Sequence, residues 1–168
     1  MKVDGDDVIS NLRELDYKLV LSYWIKSEND LSKFYKELAC KSKEVGLEEW
    51  AFDMFILLSE ESKRVEKKLK EIYSRKFGSI DIEKLPDSPI KIPAYIKEFD
   101  NPHSILGILK SAIYCEELAE NICQVLSQKA PTEYEKELFK YLASSERCHL
   151  RILTERFNYY KKKLKAES

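Results

Sequence analysis

The sequence predicts an all-α fold: a single-domain antiparallel four-helix bundle over residues 1–168, with a long crossover between its second and third long helices. Three observations carry this. Apolar residues recur at helical spacing along four long segments. Only 4 glycines and 5 prolines interrupt the chain, and Pro86, Pro89 and Pro93 crowd into one stretch between the second and third segments. The first pair of long segments also matches the second pair position by position.

In chain order, a short helix is expected over 5–15. The first long helix spans 16–42, with Asp16 as N-cap and Trp24, Leu31, Tyr35 and Leu38 on one face. Gly46 marks a break. The second covers 47–76 along Phe55, Leu58, Ser62, Val65, Leu69 and Ile72, apolar except for Ser62, and Gly78 stops it. Residues 78–101 lack sustained periodicity. A connection of that length can cross from one end of a bundle to the other, with a helical turn expected near 94–99. The third long helix spans 102–129, opened by Asn101 as N-cap and Pro102 at its first position. Pro131 forces a break. Thr132 and Glu135 then form a capping box that opens the fourth helix, 132–164, along Phe139, Leu142, Glu146, His149 and Leu153.

The helix pairs read as copies. Phe55, Leu58, Ser62, Val65 and Leu69 match Phe139, Leu142, Glu146, His149 and Leu153 at one constant offset. Trp24, Ile25, Glu28, Leu31, Tyr35 and Leu38 match Ala112, Ile113, Glu116, Ala119, Cys123 and Leu126 at another. Two helical hairpins joined by the crossover follow from this repeat.

Composition excludes several function classes. With 29 basic and 30 acidic residues the net charge is -1, which supports neither a nucleic-acid nor an anionic-membrane partner. No apolar run is long enough to span a bilayer. Asp4, Asp6 and Asp7 crowd the start, unlike a signal peptide, so a cytoplasmic protein with reduced thiols is expected. Cys40, Cys115, Cys123 and Cys148 form no C-x-x-C pair, against a zinc knuckle or a thioredoxin-like motif. The Lys/Glu-rich, Gln-poor composition points to a thermophile.

Acidic residues are common here, so a glutamate is informative only where its position is unusual. Glu28, Glu116 and Glu146 each occupy a slot where the helical period calls for an apolar residue, and His149 sits one turn from Glu146. Burying an unpartnered carboxylate costs several kcal/mol. Carboxylates sharing one interior repel unless they are protonated or neutralised. A divalent cation neutralises them directly, and an imidazole adds a neutral nitrogen donor. Glu28, Glu116, Glu146 and His149 are therefore the candidate metal ligands.

These residues resemble the ferritin-like superfamily, in particular its rubrerythrin-type branch, from about Leu19 to Leu164. The stretch YWIKSENDLSKFYKELA is similar to the first ligand helix, with Glu28 in the ligand slot. ILKSAIYCEELAE is similar to the third, with Glu116, and LASSERCHLRIL carries Glu-x-x-His as Glu146 and His149. The family pattern is one Glu from each of two helices and Glu-x-x-His from each of the other two, holding two irons. FILLSEESKRVEKKL departs from it: Ser62 stands in the Glu slot and Val65 in the His slot. A rotated helix would turn Glu61 inward but would still supply no histidine. The resemblance thus implies one metal ion, Fe, Zn or Mn, in an incomplete site, and no full di-iron centre.

Each glutamate taken singly also fits a partly exposed or hydrogen-bonded acid. Tyr35 either hydrogen-bonds a site carboxylate or simply packs in the core. Cys115, Cys123 and Cys148 read as small hydrophobes close to the site. His103, Asn29 and Asp30 are expected to face solvent, and Lys161–Lys165 to form a solvated helix end. Two functions compete. One is a metal-binding protein linked to oxidative stress or metal handling, for which the resemblance implies an oxidoreductase while the two replaced ligands leave catalysis open. The other is a metal-free scaffold, with Trp50, Phe52, Tyr159 and Tyr160 offering a homodimer face. A rubredoxin-like iron centre would need two C-x-x-C motifs, and a ferritin shell a fifth short helix; neither is found in the sequence.

Overall fold

A computed structural model describes residues 5–92 and 104–168. Among these residues the protein is all-α, with five helices and no strand. They are α1 (Gly5–Arg13), α2 (Tyr17–Glu44), α3 (Glu49–Phe77), α4 (Ile105–Lys129) and α5 (Glu133–Ala166), with a short 3-10 turn at Ile82–Lys84. No helix among the described residues is long and apolar enough to cross a membrane.

The helix ends follow the local chemistry. The Asp16 side chain accepts from the Leu19 amide and opens α2. Gly46 and Gly78 both take positive φ, 74° and 83°, where a β-carbon would be strained, and so close α2 and α3. At α5 the expected capping box forms by half. Thr132 Oγ1 accepts from the Glu135 amide at 3.2 Å, but the Glu135 carboxylate does not return to the cap's own amide. It accepts instead from the Thr132 and Tyr17 hydroxyls and pairs with Lys76 at 3.0 Å. One buried carboxylate thus ties the starts of α2 and α5 to the end of α3. The expected start at Asn101 and Pro102, His103 and the turn near 94–99 all lie outside the described residues.

Sequence-adjacent long helices pack as hairpins, α2 on α3 and α4 on α5, and α2 also meets α4. Between α2 and α3 a pair of buried serines adds a hydrogen bond to the apolar contact. Ser59 Oγ donates to the Ser32 carbonyl at 2.7 Å. Trp24, Tyr35, Phe55 and Phe139 fill the interior, and removing one such aromatic costs about 3–5 kcal/mol. On α1, Val8, Ile9 and Leu12 are buried, and the helix lies on α4. Lys129 at the end of α4 donates to the Arg13 and Leu15 carbonyls, capping α1.

Two expectations about exposure need correction. Asn29 and Asp30 are half-buried, because Asn29 turns toward α3 and donates to the Glu66 carboxylate at 3.3 Å while Asp30 pairs with Lys26. Tyr160 is buried, its hydroxyl accepting from Trp50 Nε1 at 2.8 Å with the two rings stacked. Those two aromatics join α3 to α5 within one chain, and of the residues offered as a dimer face only Tyr159 is exposed.

The Glu135 knot predicts a pH signature. Burial alone would raise its pKa, but hydrogen bonds from Thr132, Tyr17 and Lys76 outweigh burial and hold it below the usual carboxylate value. A group depressed on folding stabilises above its unfolded pKa, about 4.3, and loses that contribution as pH falls through the folded value. Glu135→Gln should therefore lower the melting temperature at pH 7. Thermal melts down to about pH 3 should show the gap from wild type closing below the unfolded pKa.

Candidate metal centre

Two helices, α4 and α5, bring the three-residue group together. On α4, Glu116 is buried between Ala112 and Ala119, small residues that leave room for carboxylate neighbours. On α5, Glu146 and His149 are three apart, so both point from one helix face toward α4. One ligand atom from each of Glu116, Glu146 and His149 lies within 4.8 Å of the other two, and the group could hold a metal ion.

The imidazole is held between carboxylates on both sides. His149 Nδ1 is 3.3 Å from an oxygen of Glu116 and 3.3 Å from an oxygen of Glu146. Charge-assisted N–H···O bonds are shorter, about 2.7–2.9 Å. A ligand-to-ligand edge around a tetrahedral ion with bonds of about 2.0–2.1 Å is about 3.3–3.4 Å. The donor set and its spacing thus fit a small divalent cation. On the other side of the ring, Nε2 is 2.7 Å from a Glu61 oxygen on α3. If Nε2 carries the proton it donates to Glu61, and the Nδ1 lone pair turns toward Glu116 and Glu146.

Glu61 is the residue that sequence reasoning placed wrongly. It reaches the site without rotation of α3: Ser62 stays buried, Val65 half-buried, and Glu61 enters from the flank. Its signal lay in the stripe one position ahead of Ser62, where a long side chain at the edge of a buried face can bend inward. Ser62 keeps a role too, lying near enough to Glu28 to favour its charged form.

Glu28 lies in the same interior but outside the three-residue group. Burial, then the charges of Glu146 and Glu116, push its pKa well above the ordinary value, against the Ser62 hydrogen bond. Burial and the Glu116 charge push Glu146 up to about 8. For His149, burial opposes the charge, but Glu116 and Glu146 outweigh it and push the pKa up to about 10. Without a cation, protons on these groups balance the cluster.

Around this core, the Tyr35 hydroxyl on α2 donates to the second oxygen of Glu116, and its ring stacks on Phe55. Of the two expected roles for Tyr35, the structure shows both. Arg147 pairs with Glu120 at 2.7 Å one turn along α4. Cys115 and Cys123 are buried free thiols with pKa raised by burial and then by nearby carboxylates, Glu116 for Cys115 and Glu146 first for Cys123. Raised thiols are poor nucleophiles and ligands. Cys40 and Cys148 are exposed. A cleft of about 260 Å³ between α3 and α5 runs from Glu116, Glu146 and His149 past Val65 to Arg64 and Lys68 at the surface.

No protein-family model matches the chain, and no curated protein does. Among solved structures, a hypothetical protein from Pyrococcus furiosus is similar, with a TM-score of 0.71 at 24% identity over 89% of this chain and 93% of that one. That likeness is one of fold.

In cation-free protein the His149 imidazole should remain protonated at pH 8, where an ordinary histidine with a pKa of about 6.5 is neutral. Imidazole ¹⁵N shifts read this directly. Glu116→Gln removes a neighbouring negative charge that favours the imidazolium, so His149 should then titrate at lower pH.

Proposed function

We propose that this protein is a ferritin-like, rubrerythrin-type four-helix bundle that binds one non-haem divalent metal ion through Glu116, Glu146 and His149. The observation that carries the reading is His149 Nδ1 at 3.3 Å from both carboxylates while Nε2 is engaged by Glu61. A ring oriented by an outer carboxylate is the usual support for a metal-bound histidine. Tyr35 holds the second oxygen of Glu116, and the buried Glu28 is a fourth carboxylate behind the set.

A single bound ion would supply Lewis acidity and charge neutralisation. The residues of the chain do the rest. Glu116 and Glu146 balance two positive charges, Glu61 fixes the imidazole, and the bulk of α2 excludes water from the back of the site. With Ser62 and Val65 in the α3 ligand slots, the residues for a second ion are lacking, and two-ion oxidative chemistry does not follow. Metal handling or a one-ion role in oxidative stress is the function class this supports.

A second reading has its own observation. The Glu61–His149–Glu116/Glu146 network is internally balanced when protonated, which suits a scaffold that has lost its metal. Elemental analysis separates the two. Wild type should carry about one equivalent of Fe, Zn or Mn, absent from the Glu146→Ala/His149→Ala variant; metal near zero in both removes the metal reading.

Metal and protons compete for His149 and Glu146, so occupancy should rise with pH through about 8. In the metal-bound protein Glu116→Gln should lower the melting temperature, and chelator should erase the difference. In a scaffold the same change is neutral or stabilising at every chelator concentration.

A further inference from the structure

The metal reading uses only the inner end of the cleft between α3 and α5. Its inner end is formed by the three ligand residues, and its walls include Leu58, Leu138 and Leu142. Its volume, about 260 Å³, is room for roughly nine water-sized groups at about 30 Å³ each. We propose that this cleft is a binding subsite for a small organic carboxylate. The acid group is directed at the ion held by Glu116, Glu146 and His149, and a short hydrocarbon chain lies along Val65, Leu138 and Leu142. The inference rests on the metal reading.

Charge, donor number and lining converge on this guest. Three protein donors leave a four-coordinate ion one position short. Val65, on the cleft wall, offers no donor atom to fill it. Glu116 and Glu146 balance a divalent ion, and Arg64 stands 3.7 Å from Glu61. Lys68 then remains as uncompensated positive charge; among the described residues its partner is the Tyr134 ring, 5.7 Å away, and no carboxylate. Lys68 thus lends the mouth of the cleft a positive potential that attracts an anion. The leucine and valine walls favour one that carries methylenes over a fully hydrated inorganic ion.

The test uses full-length protein loaded with cobalt(II), whose visible absorption reports its ligands. Cobalt stoichiometry is measured first, then acetate and butyrate are titrated into wild type, Lys68→Gln and Val65→Phe. Both acids should change the wild-type spectrum saturably. Butyrate should bind more tightly by up to about tenfold, for two more buried methylenes. Lys68→Gln should weaken both acids roughly two- to fivefold, as expected for one partly exposed charge. Val65→Phe should keep its cobalt and lose the preference for butyrate; Leu138→Phe fills the cleft from the α5 side if the first variant does not fold. Bound cobalt with no spectral response, or equal affinity for both acids in every variant, overturns the inference and leaves the metal reading standing. No bound cobalt overturns both.

Discussion

The structure is organised around one electrostatic constraint: carboxylates from α2, α4 and α5 share a largely buried interior and must be neutralised there. Glu28 and Glu116 are almost wholly buried, and the Glu146 and His149 side chains each retain only 12% of their exposure. Such a group cannot be fully ionised without a positive partner. His149 is the only cationic side chain that touches it among the described residues, and protons or a divalent ion must supply the remainder. The surrounding helix packing is arranged to hold these groups in place.

That arrangement is uneven, and the unevenness shapes the site. The back is sealed by α2, where Tyr23, Trp24 and Ile25 are buried in succession. The front is the seam between α3 and α5, which is bridged at its ends by Trp50 with Tyr160 and by Lys76 with Glu135, and which opens between them into the cleft. In a complete version of the repeat, α3 would offer a carboxylate and an imidazole here. Ser62 and Val65 shorten both side chains, so the seam gains space where it loses donors. Glu61 recovers part of the loss by holding His149 from outside the donor set.

Buried ionic clusters of this kind contribute little net stability and demand close geometry. The stability of this protein comes instead from the aromatic and aliphatic interior and from ties such as the Glu135 knot. The cluster is therefore held at a cost to stability.

How much of this was legible in the sequence follows from the kind of information each feature needs. Helix identity and ends depend on local terms, namely apolar period, caps and glycine conformation, so α2, α3 and α5 and the inward set of Glu28, Glu116, Glu146 and His149 could be read directly. The half-formed capping box, the inward turn of Asn29 and the approach of Glu61 depend on which side chains from other helices stand opposite. A glutamate at the edge of a stripe has the same local signature whether it bends inward or outward. By itself the sequence determined that acids and one imidazole would enter a helical interior, because the period of a helix is set along the chain. Only the tertiary structure decided which three meet within ligand distance, which partner orients the imidazole and where the interior opens, because those distances are set between helices whose spacing depends on packing across the whole core.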